Sequence, residues 1–119
     1  TPVLEVWDNA LALPIIGAVD EQRSLAMTER LLAEVVGRKA QLVIIDVTGV
    51  ELIDTRTADH LLKMMRAVQL LGARCILTGV RPAVAQTMVA LGVDLGSTVS
   101  LPSLKYGLRE CLKLSLGPR

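Results

Sequence analysis

The chain has no phenylalanine, one tryptophan and one tyrosine, so its 119 residues must build a core from Leu, Val, Ile, Ala and Met. Scarce aromatic faces argue against base-stacking platforms, carbohydrate clefts and most nucleic-acid readers. Charge of one sign is equally scarce. Thirteen basic and twelve acidic residues are interspersed for a formal net charge of +1, which leaves no basic patch for a phosphate backbone and no acidic tail. Nucleic acid is therefore not an expected partner. No apolar run approaches the ~20 residues of a membrane span, and no charged-then-apolar leader opens the chain. A membrane partner is not expected either, and a cytoplasmic location is. The two cysteines, Cys75 and Cys111, stand far apart in no metal-like spacing and read as small buried apolar residues of a reducing compartment.

Catalytic equipment is also missing. A hydrolytic nucleophile needs a base within reach, and the one histidine, His60, lies five residues after Thr55, turned nearly away from it on a helix. It reads as a surface histidine with no task. Neither GxGxxG nor GxxxxGK[ST] occurs. The segment Gly92-Val93-Asp94-Leu95-Gly96 follows a helix and precedes a strand, so it reads as a connection and not a nucleotide loop. Asp46, at a strand end, invites comparison with the phosphoaccepting aspartate of a receiver domain. Such a domain needs further acids at its first strand end to hold Mg²⁺; here the first two strands end in Trp7-Asp8 and Ile16-Gly17. No cofactor and no enzymatic activity are expected.

What is present is an alternation of strands and helices. By length the chain is one domain, able to bury about two-thirds of its unfolded surface without staples. Val3 to Trp7 and Ala10 to Ile16 read as an antiparallel pair joined at Asp8-Asn9. From Asp20 a helix follows, with Leu25, Met27, Leu31, Leu32, Val35 and Val36 as its apolar stripe. Leu42-Val43-Ile44-Ile45 is a buried strand, closed by Asp46-Val47-Thr48-Gly49. The next helix carries Ala58, Leu61, Leu62, Met65 and Val68 at helical spacing and stops at Leu71-Gly72-Ala73. Arg74 to Thr78 is a strand, and Pro82 opens a helix to Leu91 with Val84, Met88 and Leu91 inward. Thr98 to Leu101 and a helix from Pro102 to about Leu114 complete the order β-β-α-β-α-β-α-β-α. This implies an α/β fold with a mixed, mostly parallel sheet of four to five strands and about four helices. The absent initiator Met and immediate entry into a strand suggest a preceding domain.

The most informative segment is DVTGVELIDTRTADHLL, Asp46 to Leu62. It joins a buried strand to a helix through a hydroxyl-rich turn. Asp54-Thr55 stands where an N-cap belongs, which puts Thr55 on the first turn at the positive end of the helix dipole. Thr55 could be a cap; because Asp54 can take that role, its hydroxyl is free to accept phosphate. Thr87 flanks the Val84-Met88-Leu91 stripe, where its hydroxyl could bond back to the carbonyl of Ala83.

The turn D-x-T-G-V-x-x-x-D-[ST], followed later by the helix start G-x-R-P-x-x-A-x-T, resembles the STAS domains of anti-sigma-factor antagonists, most closely the RsbR branch of the bacterial stressosome. The likeness runs from TPVLEVWDNALALPIIG to LKYGLREC. It implies a STAS fold and a non-catalytic scaffold module controlled by phosphorylation. The hydroxyl phosphorylated by an RsbT-type serine/threonine kinase falls on Thr55, and the second acceptor of RsbR-like members falls on Thr87. RsbS-like members have Ser at the first position, so two threonines point to the RsbR side, where a sensory domain precedes the STAS domain. Expected partners are the kinase and RsbS-like and RsbR-like STAS proteins, in a homodimer or larger hetero-oligomer. The partner-binding surface is assigned to Asp46, Gly49, Asp54, Arg56 and Asp59, and oligomer contacts to Met64, Ala67 and Leu71. Two other readings stay open: a STAS module binding a small anion or nucleotide at the Gly49 turn or associated with a transporter, and a low-activity hydrolase.

Overall fold

A computed structural model describes residues 2–17, 20–92 and 98–116. Strands β1 (Leu4–Trp7) and β2 (Ala10–Ile16) come first, then helix α1 (Glu21–Gly37), β3 (Leu42–Gly49), α2 (Thr55–Leu70), β4 (Arg74–Thr78), α3 (Pro82–Ala90), β5 (Val99–Leu101) and α4 (Leu104–Leu116). The five strands form one sheet in sequential order, with β1 antiparallel to β2 and every later neighbour parallel. The expected mixed, mostly parallel α/β fold is therefore observed, with four helices. The Asp8-Asn9 connection is a tight turn in which Asn9 takes φ +64, a region asparagine tolerates better than most residues.

A parallel sheet covered on both faces needs strands that are apolar throughout, and β3 supplies one. Val43, Ile45 and Val47 join Leu11, Leu13 and Leu77 in the larger core under α1, α2 and α3. The alternate residues Leu42 and Ile44 join Ala10, Ala12 and Ile76 in a second cluster against Leu101 and Leu104. Helix α4 can lie close on that second face because Gly107 has no side chain. A Cβ there would meet Thr78 Cγ2 at 2.9 Å and Ile44 Cδ1 at 3.3 Å.

The helices bury narrower or wider arcs than periodicity implies. On α1 the buried residues are Ser24, Met27, Leu31 and Val35, one face at spacings of three and four. Leu25 and Val36 lie off that face and are 57% and 64% exposed, so neither belongs to the stripe. On α2 the stripe Ala58, Leu61, Met65 and Val68 is buried as expected, with Leu62 half-buried. Met64, expected as an oligomer contact, is instead 1% exposed and part of the core. Helix α2 packs beside α1 as well as on the sheet, so the arc it buries extends past one stripe. Leu91 sits at the C-cap of α3 and is exposed; Val84 and Met88 alone form that helix's buried face.

Cys75 is buried on β4, and burial pushes its thiol up to about 12, as a small core residue requires. The side chain of Cys111 and residues 93–97, which hold most of the Gly92–Gly96 connection, lie outside the described residues.

Candidate functional site

The site grows from the end of β3. Both neighbours still pair with that strand at Asp46, which stands opposite Pro14 on β2 and Thr78 on β4, and β2 alone carries it on to Gly49, opposite Ile16. A short link then leads to α2. Val50 is buried, Ile53 packs half-buried against the core, and Leu52 between them is 80% exposed. Two apolar residues thus anchor the link while a third is held out to solvent. Leu52 stands next to apolar Ile53 in the sequence, so no pattern separated the two; its exposure makes it a candidate partner contact that periodicity does not reveal.

Asp54 caps α2. Its side chain accepts a hydrogen bond from the Thr57 backbone N–H at 2.8 Å, and its carbonyl accepts from Ala58 N–H at 2.9 Å, satisfying two of the helix's first donors. The Thr57 backbone N–H and then its hydroxyl hold the Asp54 carboxyl below the usual carboxylate range, with the Arg56 charge adding to them. Because the folded-state value is depressed, this contribution is complete above the ordinary value of 3.8 and is lost as pH falls through the lower folded value. Asp54→Ala should therefore lower the unfolding midpoint at neutral pH. The gap to wild type should close in strong acid, which thermal melts of the two proteins at both conditions would check. Asp54→Asn should stay close to wild type at neutral pH, since an amide oxygen also caps.

With Asp54 as the cap, Thr55 is left as the first residue of α2 and is exposed. Arg56 and Asp59 are exposed nearby, and Asp59 pairs with Lys63 at 2.9 Å one turn on. Gly49 is half-buried, with Ile15 O and Ile16 Cα each 3.1 Å from where a Cβ would stand. On α3 the hydroxyl of Thr87 donates to the carbonyl of Ala83 at 3.0 Å, and the residue is half-buried. Local back-bonding and partial exposure thus coexist at this position.

Asp46 is not on the surface. It is 9% exposed, and its Oδ1 accepts hydrogen bonds from the hydroxyls of Thr78 at 2.6 Å and Thr48 at 3.0 Å. The resemblance placed it on the expected partner-binding surface; the acid instead closes a buried link between β3 and β4. Its partners Thr48 and Thr78 went unassigned, and only their strand-end positions could have suggested them. His60 also departs from its reading as a surface residue. It is half-buried beside a cleft of about 20 Å³ that Met27, Ile53, Thr57 and Met64 help to line, and its Nε2 is shut from solvent without a hydrogen-bond partner.

Among the described residues no group of three or more His, Cys, Asp or Glu could hold a metal ion, and no helix is long and apolar enough to cross a membrane.

A five-stranded, mostly parallel sheet with helices on both faces, and an acid-capped helix opening on an exposed threonine beside the sheet end, defines an α/β domain of the STAS type. The STAS domain model matches residues 1–101, and the chain belongs to that family. It is 39% identical over 114 residues to the RsbT co-antagonist protein RsbRA of Bacillus subtilis (strain 168), covering 96% of this chain and 42% of that protein. The chain thus spans about two-fifths of the length of this relative. Among solved structures it superposes on RsbS of Moorella thermoacetica with TM-score 0.83 and 31% identity, over 96% of each chain. A chain from the molecular architecture of the stressosome, a signal integration and transduction hub, gives TM-score 0.85 and 29% identity over 98% of this chain and all of that one. The chain is a STAS domain closely related to RsbR-type stressosome co-antagonists.

Proposed function

We propose that this STAS domain is a phosphorylation-controlled scaffold that holds a serine/threonine kinase of the RsbT type and packs with RsbS-like and RsbR-like STAS domains. The kinase is retained while Thr55 and Thr87 are unmodified and released when they carry phosphate. The observation that carries this reading is the division of labour at the start of α2: Asp54 caps the helix, and Thr55 stands exposed on the first turn. A phosphate there adds about −1.5 to −2 charges where helix N–H groups and dipole favour an anion. The fold tolerates the change, while a docked partner meets a new charge in its interface.

Leu52, Asp54, Arg56 and Asp59 would face the kinase, with Gly49 shaping the turn behind them. Ala67, half-buried on α2, and Leu71, exposed at its C-cap, remain the proposed contacts to a second STAS domain. Incubation of the domain with an RsbT-type kinase and ATP, followed by peptide mass mapping, should place phosphate on Thr55 first. Protein left unlabelled by a kinase that phosphorylates another STAS substrate would overturn the reading.

A further inference from the structure

Arg81 does an unusual thing for an N-cap residue. It caps α3 in position only, making no side-chain bond to the helix. Its Nε instead donates to the main-chain carbonyl of Thr48 at 2.7 Å, across 33 positions of sequence. Helix starts favour Ser, Thr, Asp or Asn because these bond the helix's own N–H groups, so an arginine here forgoes local stabilisation for a distant contact.

Thr48 is gripped from two sides. Its hydroxyl donates to Asp46 Oδ1, which the Thr78 hydroxyl also reaches, and its carbonyl is held by Arg81. Gly79 lets these groups close up, since it takes φ +72 and a Cβ on it would overlap Thr48 Oγ1. The ends of β3 and β4, the turn after β4 and the start of α3 are thereby tied together. From this knot the link 50–54 sets out toward Thr55, with only Val50 and Ile53 anchoring it to the core.

We infer that Arg81 is a positioning residue for the acceptor turn: its bond to the Thr48 carbonyl fixes the base of the link that presents Leu52, Asp54 and Thr55, and joins that link to the start of the helix bearing Thr87. The inference rests on the proposed phosphorylation of Thr55 for its functional consequence, but not for its structural one. Two variants separate position from charge. In Arg81→Gln the side-chain amide nitrogen is bonded to Cδ as Nε is in arginine, so a donor remains at the same distance along the side chain without the charge. Arg81→Met has similar reach and no donor.

Amide hydrogen exchange of the 119-residue chain without kinase should quicken at least about tenfold in Arg81→Met at Val50, whose N–H donates to the Val47 carbonyl at 2.9 Å at the base of the link, while amides of β2 and α1 keep their rates. Arg81→Gln should restore most of the protection. In steady-state phosphorylation of Thr55, Arg81→Met should raise KM for the domain about tenfold with kcat nearly unchanged, and Arg81→Gln should recover much of it. Unchanged exchange at Val50 in Arg81→Met would overturn the inference, and so would Arg81→Gln behaving as Arg81→Met in exchange. A wild-type chain that no kinase labels would remove the proposed function but leave the exchange result standing, so the two failures are distinguishable.

Discussion

Thr55→Glu is expected to bind an RsbT-type kinase at least about a hundredfold more weakly than wild type, while Thr55→Ala binds as wild type does and resists release by ATP. The expectation follows from where the charge would sit. Thr55 is exposed and leaves the helix cap to Asp54, so neither replacement removes a contact that holds the fold; exposed substitutions of this kind stay within about 0.5 kcal/mol of wild type. A carboxylate on the exposed first turn of α2 even meets a favourable dipole, by a few tenths of a kcal/mol up to about 1 kcal/mol. An interface offers no such compensation. A charge pressed against a partner without an opposite charge costs several kcal/mol, and 1.4 kcal/mol is already tenfold in affinity. Calorimetric titration of kinase with the three proteins at low and moderate salt would decide the matter. Equal affinities would show that charge at Thr55 is not what releases the partner. A loss seen with Thr55→Ala as well would assign the effect to the hydroxyl and not to charge.

The features that could be read from sequence are those with local causes. The Asp54 cap, the Pro82 helix start and the back-bond of Thr87 each involve atoms within four residues, and all three are present. Strand direction followed from the alternation of strands with helices, because a helical crossover returns the chain to a parallel strand; the sequential order of the strands in the sheet did not. What escaped was set by distant neighbours. Asp46 seemed a strand end because polarity begins there, yet β2 carries the pairing on to Gly49, and Pro14, Thr48 and Thr78 surround the acid. Met64 and His60 sit on the flank of α2 that meets the α1 side of the cleft, and periodicity within one helix does not say that a second helix lies alongside. Arg81 belonged to a motif already singled out, but its role depends on a carbonyl 33 residues earlier.

The same knot of residues should make Gly79→Ala the most damaging small substitution near the site, at about 2–4 kcal/mol. Two costs combine. Alanine at φ +72 is strained by about 1 kcal/mol or more relative to glycine. The new methyl would also take the place of Thr48 Oγ1, and driving that hydroxyl from Asp46 leaves a buried acid short of a donor, at about 1–3 kcal/mol. Thr78, which is fully buried, still holds the same carboxyl oxygen, so the strand ends should stay paired and the protein should fold. Urea unfolding of Gly79→Ala, Thr48→Ala and the double variant tests the cause as well as the size. Once Thr48 has lost its hydroxyl the overlap is gone and the methyl meets only Asp46 Oδ1 and the Cβ of residue 48, each at 3.0 Å, so the double variant should be clearly more stable than the two single losses added together. Strict additivity would mean that only the backbone conformation matters at Gly79. A Gly79→Ala protein within about 0.5 kcal/mol of wild type, the range of an inconsequential surface change, would show that the turn after β4 yields freely and that Thr48 is not pinned between Asp46 and Arg81.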